Sequence, residues 1–223
     1  MDEVGFEVQP RLEWHNLRPF AIARLPLDYA RRLTELAMRC EPAVTGLPVA
    51  EGWLERAAEN PTGSRYKSYN SFELHPEMGL LLRALRETYG FLRGQIGAPR
   101  VPVSVQSWYN VHRAGQRLHR HVHEARYIGS FCAYGEGSFT RYGPSAETDE
   151  SDYALPNHDG QLLVTLGRNH YHEVSVWEDE AHPRVSYAFD IVGGGEEKVD
   201  GCYVRLEDDV LPDGPPARGA VTS

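Results

Sequence analysis

The sequence predicts a mainly β fold with N-terminal helices, the β half forming a two-sheet jelly roll or barrel. From Val101 onward the chain breaks into short β-rich runs separated by turn signals: VPVSVQSWYNV, ARYIGSFCAY, SFTRYG, GQLLVTLG, YHEVSVW, RVSYAFDIV and CYVRL. Roughly seven or eight strands in about 105 residues is the density of a closed or two-sheet β architecture. Ahead of them, two stretches carry apolar residues at helical spacing. With 223 residues, 41% of them hydrophobic and 25% charged, the chain suffices for one domain with a sizeable core. That domain is expected over residues 1–206, with a helical N-terminal part at 1–100 and the β core at 101–206.

Residues 1–10 read as a frayed leader. A strand is predicted over Leu17–Leu25, with Phe20 and Ile22 on one face. In LDYARRLTELAMRC, Tyr29, Leu33, Leu36, Ala37 and Cys40 recur at helical spacing, with Asp28 as N-cap and Glu41-Pro42 as the stop. Residues 42–64 are loop-like, with a short helix around Trp53–Ala58. NPTGSRYKSYNSFEL opens with turn chemistry and continues as a polar, Tyr-rich strand or loop. A second helix runs from Glu77 to Arg93, with Leu81, Leu85, Thr88, Tyr89 and Leu92 on one stripe. Gly94 and Gly97-Ala98-Pro99 end it. The acidic loop ETDESDYALPNHD, residues 147–159, has solvated charges and the length of a lid. Trp108 and Tyr134 read as core aromatics. The tail from Glu207, rich in Pro, Gly and acids, is expected to be disordered.

The formal net charge of −9 and the scatter of Arg and Lys exclude non-specific nucleic-acid or anionic-membrane binding. The N-terminus carries acids where a signal peptide needs basic residues, and no apolar run approaches a membrane span. The expected location is cytoplasmic. Cys40, Cys132 and Cys202 are too dispersed for a disulfide framework and read as free thiols.

The chemistry lies in the histidines. Eight of the ten fall between His112 and His182. His119, His121 and His123 alternate just before the apolar run Ile128–Tyr134. Side chains at i and i+2 of an extended segment leave the same face, so any two neighbours of this trio can share one metal ion. A third ligand is available about fifty residues on, where His170 and His172 alternate after GQLLVTLG. Neutral imidazole suits iron, zinc, copper and nickel.

Trp108, Asn110 and Gly115 form a W-x-N-x-x-x-x-G pattern. His121-Val122-His123 and the strand Ile128–Tyr134 follow. Gly160, Leu162, His172, Val174, Arg184 and Ser186 then supply G-x-L, H-x-V and R-x-S elements in order. Over about residues 12–192 this resembles one branch of the Fe(II)/2-oxoglutarate-dependent oxygenases. The resemblance implies a double-stranded β-helix, an Fe(II) ion held facially by protein ligands, and 2-oxoglutarate as cosubstrate. Carried onto this chain, His121 is the first ligand, His123 stands in the slot of the usual carboxylate, and His172 is the distal ligand. The pattern departs from the common two-His, one-carboxylate set, because no Asp or Glu lies two residues after any histidine of the trio. A second registration takes His123 as first ligand and Ala125 in the slot, which resembles the iron halogenases. Glu124 points to the opposite face from His123.

The C5 carboxylate of 2-oxoglutarate needs a cation, and Arg184 with Ser186 two residues on offers a guanidinium and a hydroxyl from one strand face. Asn110 is expected to assist the cosubstrate. His170 competes with His172 as ligand, and His112, His119, His158 and His182 read as polar or surface residues. The implied activity is O2-dependent hydroxylation of an amino acid, peptide or small natural product. A halogenase of the same fold, or a cupin-type metal enzyme that does not use 2-oxoglutarate, are the alternatives.

Overall fold

The computed structural model describes residues 6–193 and 201–207. The first strands are β1 (Arg11–His15) and β2 (Arg18–Arg24), paired as an antiparallel hairpin. Asn16 and Leu17 form its two-residue turn with φ of 47° and 62°. Positive φ at both positions is what the right-handed strand twist demands of so short a turn. The strand expected over Leu17–Leu25 is therefore β2 alone, and Leu17 is a 92%-exposed corner. β1 escaped the sequence reading because it is an edge strand with no buried residue and little alternation. Of the expected frayed leader, residues 1–5 lie outside the described residues, and Val8 packs into the main core.

Helix α1 spans Leu27–Thr45 and buries Tyr29, Leu33, Leu36, Ala37 and Val44. Two boundary expectations fail. Pro26 occupies the N-cap without a side-chain hydrogen bond, and Asp28 instead pairs with Arg32 one turn on, at 2.8 Å. The helix also continues through Pro42. A proline there forfeits one intrahelical bond, but the last turn is held by tertiary contacts. Val44 is 2% exposed, and Glu41 accepts two hydrogen bonds from Arg113, at 2.8 and 2.9 Å. Short 3-10 turns follow at Leu54–Arg56, Gly63–Ser68, Ser71–Glu73 and Pro76–Met78. Helix α2, Gly79–Gln95, buries the predicted stripe.

The remaining strands are β3 (Val103–His112), β4 (Leu118–His121), β5 (Tyr127–Tyr134), β6 (Phe139–Gly143), β7 (Tyr153–Pro156), β8 (Gln161–Leu166), β9 (Tyr171–Val174), β10 (Arg184–Gly193) and β11 (Val204–Glu207). They form a seven-stranded sheet, β1-β2-β8-β5-β10-β3-β11, and a four-stranded sheet, β4-β9-β6-β7. Neighbouring strands are antiparallel. This is the mainly β, jelly-roll architecture expected, with few helices. The expected disordered tail lies, beyond Glu207, outside the described residues. Among the described residues no helix is long and apolar enough to cross a membrane.

Period-two alternation assigns the two faces of the large sheet. On β10, Val185, Tyr187, Phe189 and Ile191 are at most 1% exposed and belong to the main core cluster that also takes in the buried stripes of α1 and α2. Helix α1 lies against β3 and β5, and α2 against β2 and β8. The opposite face looks toward the small sheet. There Phe20 and Ile22 join Tyr142, Leu155 and Leu163 in a second, smaller cluster. Elsewhere on that inner face the residues of β3 and β10 are largely polar.

The Tyr29 hydroxyl joins the two helical segments. It donates to the Glu77 carbonyl at 2.8 Å and accepts from the Leu81 amide at 3.0 Å. Tyr29→Phe leaves both backbone groups short of this partner in a buried setting, and should destabilise the fold by about 1–3 kcal/mol. A urea melt of the variant with an unchanged midpoint would refute this.

Candidate functional site

The register of β10 places a row of inner-face side chains. Against β3, Arg184 stands opposite His112, Ser186 opposite Asn110, Ala188 opposite Trp108 and Asp190 opposite Gln106. Against β5, Ser186 faces Cys132, Ala188 faces Ser130 and Asp190 faces Ile128. The small sheet contributes from across the gap. His121 of β4 pairs directly with His172 of β9, which pairs in turn with Tyr142 of β6. His123 follows just beyond the end of β4.

His121, His123 and His172 converge, one ring nitrogen from each lying within 4.8 Å of the others. Ring centroids are 4.3 Å apart for His121 and His172, and 5.1 Å for His123 and His172, the latter pair stacked. His121 Nε2 lies 3.0 Å from His123 Nε2. His121 donates from Nδ1 to the His119 carbonyl at 2.8 Å, so its Nε2 carries a lone pair. The Nδ1 of His172 is buried with no hydrogen-bond partner among the described residues. Burial, reinforced by the neighbouring imidazoles, lowers the pKa of His121 to about 3 and holds that of His172 well below the usual histidine value. Both rings are therefore neutral at physiological pH.

Ring nitrogens that converge in this way, two of them on neutral rings, fit a metal cation. Two nitrogens each about 2.1 Å from one metal, at right angles, are about 3.0 Å apart, which is the spacing of His121 and His123. The donor set suits a borderline divalent transition metal rather than a hard ion.

The other histidines are engaged elsewhere. His119 pairs with Glu59. His170 is 1% exposed and bonds to the Tyr153 hydroxyl at 2.8 Å and the Leu166 carbonyl at 3.0 Å; it stays outside the cluster. Its pKa is lowered to about 4 by burial. His158 and His182 pair with Glu136 and Asp179 near the surface. His112 corrects the expectation of a surface residue. It is fully buried, and its Nδ1 accepts from Arg184 Nη1 at 3.3 Å. Burial, with the nearby guanidinium, pushes its pKa well down, so the ring is neutral.

Arg184 is 4% exposed. Among the described residues its polar partners are neutral: His112, and Ser186 Oγ at 3.4 Å. Its Nε has no partner. A buried guanidinium without an anion is costly, a cost that an anionic ligand at this end of the interior would relieve. Asn110, Tyr142 and Cys132 line the same narrow cavity of about 50 Å³, which reaches His123 and His172. Burial raises the Cys132 thiol to about 12, which leaves it protonated. A larger cavity of about 460 Å³ opens on the other side of the histidines, walled by Trp53, Tyr66, Trp108, Lys67 and Asp190 among others. The two cavities share Leu118, His123, His172 and Ala188 as walls.

Tyr66, Lys67 and Trp108 line the large cavity. Trp108 is also part of the main core, as expected. The 147–159 segment does not line it. Tyr153–Pro156 is strand β7, and Asp152 is buried in a paired contact with Arg120, at 2.9 and 3.0 Å. Arg120 sits between His119 and His121, so this pair pins β4 instead of forming a lid. Asn157 alone of the segment reaches the narrow cavity.

His112 and Asp190 are the site residues that sequence reasoning missed. Extending the R-x-S alternation four residues along β10 would have reached Asp190.

Known structures share this fold. A Pseudomonas putida prolyl-4-hydroxylase superposes with a TM-score of 0.51, at 15% identity over 76% of this chain and 90% of that one. The non-heme monooxygenase ThoJ, in its nickel complex, gives 0.55 at 13% identity over 83% and 78%. The non-heme alpha-ketoglutarate-dependent carbocyclase SnoK from nogalamycin biosynthesis gives 0.51 at 11% identity over 77% and 78%. No protein-family model matches the chain, and no curated protein sequence does.

Asn110 is positioned by a close approach. Its Oδ1 accepts from Asn60 Nδ2 at 2.8 Å, and a Cβ on Gly63 would fall 2.2 Å from that oxygen and 2.3 Å from the Asn60 amide nitrogen. Gly63→Ala should therefore displace Asn110 and destabilise the protein by about 1–3 kcal/mol through overpacking. Gly79→Ala, with nothing within 4 Å of the added methyl, serves as control. Equal denaturation midpoints for the two variants would contradict this.

Proposed function

We propose that a chain with this fold and interior is an Fe(II)- and 2-oxoglutarate-dependent oxygenase. The proposed reaction is hydroxylation of an unactivated C–H bond in an amino acid, peptide or small natural product. The observation that carries the reading is the pairing, in one interior, of converging ring nitrogens at His121, His123 and His172 with a buried Arg184 whose partners among the described residues are neutral. A cupin-type metal site needs the first but not the second. The neighbours named above include a hydroxylase, a monooxygenase and an alpha-ketoglutarate-dependent enzyme, in keeping with the same chemistry.

In this reading His121, His123 and His172 hold the metal. The involvement of His121 favours the registration that begins with it over the one that leaves Ala125 in the carboxylate's place. When bound, iron with 2-oxoglutarate and O2 supplies the oxidation of a C–H bond, the cosubstrate leaving as succinate and CO2. The chain's own work is orientation and exclusion of water. Arg184 grips the remote carboxylate of the cosubstrate, with Ser186 beside it, and His112 accepts from the guanidinium and limits its swing. Asn110 stands opposite Ser186, where its side chain lines the cosubstrate's path. Trp108, Tyr66 and Trp53 wall the substrate cavity with low-dielectric surface.

Purified protein given Fe(II), ascorbate and a substrate panel should convert 2-oxoglutarate to succinate. Arg184→Ala should raise the KM for 2-oxoglutarate by about 10- to 100-fold, the loss of a charge-assisted contact. His121→Ala should abolish iron binding and turnover. Turnover that ignores both 2-oxoglutarate and Arg184 would favour the cupin-type reading.

A further inference from the structure

Three neutral imidazoles bring no negative charge to a divalent cation. A carboxylate does stand nearby, one ring removed. Asp190 lies on the inner face of β10, in the row of Arg184, Ser186 and Ala188. Its Oδ1 is 2.6 Å from His123 Nδ1. A carboxylate oxygen accepts, so Nδ1 carries a proton, and Nε2, turned toward His121 Nε2, is the nitrogen placed to meet a metal. Trp108 closes one face of the ring, 5.8 Å away between centroids and 17° from parallel. The His123 and Asp190 side chains are 10% and 17% exposed, so water competes little for their contact. Asp190 does not belong to the histidine cluster itself; it reaches the nitrogen of His123 that faces away from it.

We propose that Asp190 is the positioning residue of this centre. It fixes His123 in the Nδ1–H form, and it supplies through that imidazole the negative charge that the ligand set lacks. A carboxylate hydrogen-bonded to a ligating histidine makes the ring a stronger donor and holds its orientation. The inference rests on the metal-centre reading above and adds to it a residue outside the H-x-H, H and R-x-S pattern.

Anaerobic titration of the full-length apoprotein with Fe(II) and with Co(II), the latter followed by its ligand-field spectrum, tests this without turnover. Asp190→Ala is expected to weaken binding of both ions about 10- to 100-fold and to alter the Co(II) spectrum. Asp190→Asn keeps an oxygen that can accept the same hydrogen bond but removes the charge, so it should restore the wild-type spectrum and only part of the affinity. In a His123→Ala background, Asp190→Ala should cost nothing further, because the carboxylate acts through the imidazole. Wild-type affinity and spectrum in Asp190→Ala would overturn the proposal. So would an undiminished loss in the His123→Ala background, and, should Asp190→Ala fail to fold, wild-type affinity in Asp190→Asn. Absence of metal binding by the wild-type protein would instead remove the metal-centre reading itself.

Discussion

Strand β10 runs between β3 and β5 in a register that sorts its residues into two incompatible sets. Val185, Tyr187, Phe189 and Ile191 face the helices and are essentially sealed from water. Arg184, Ser186, Ala188 and Asp190 face the small sheet. Because side chains alternate, a slip of one residue would drive a guanidinium and a carboxylate into the helix-packed core. The apolar face therefore sets the register, and the register sets the spacing of the polar face. Every element of the proposed site on the large sheet, from the anion-binding end at Arg184 to the carboxylate at Asp190, inherits its place from that packing.

The small sheet faces the same problem with less apolar surface. Its site-bearing strand β4 is short and stands at an edge. Among its contacts are the pairing of His121 with His172 on β9 and the buried Arg120–Asp152 ion pair on its other face. The tight fit at Gly143, where a Cβ would strike Asp152 and Arg120, shows how closely that ion pair is packed against β6. The acidic 147–159 segment thus supports strand β4 from outside through Asp152, and it does not line the larger cavity.

The interior between the sheets is unfavourable for folding taken alone. Among the described residues it contains a guanidinium with neutral partners, an unpartnered His172 nitrogen and three imidazoles crowded together. Such an arrangement persists because the helix-packed face supplies the stability, while ligands would complete the other. A cation at the histidines and an anion at Arg184 would each resolve one of these costs, which is why the two halves of the interior are read together.

Much of this could be seen in the linear chain. Helical spacing located α1 and α2, period-two alternation located most strands and put Phe20 with Ile22, and the His-x-His and Arg-x-Ser pairs each had to share a strand face. Local periodicity is a property of a segment and its own backbone, so residues a few positions apart suffice to reveal it. The helix that continues past Pro42 was not visible, because its last turn depends on Arg113, far along the chain. Nor were the buried partnership of His112 with Arg184 and the contact of Asp190 with His123. Alternation states which side chains leave a strand together; it does not state which strand lies opposite, or in what register. Those were decided only when two sheets closed on each other and burial forced each polar atom to find a partner from a distant segment or go without one.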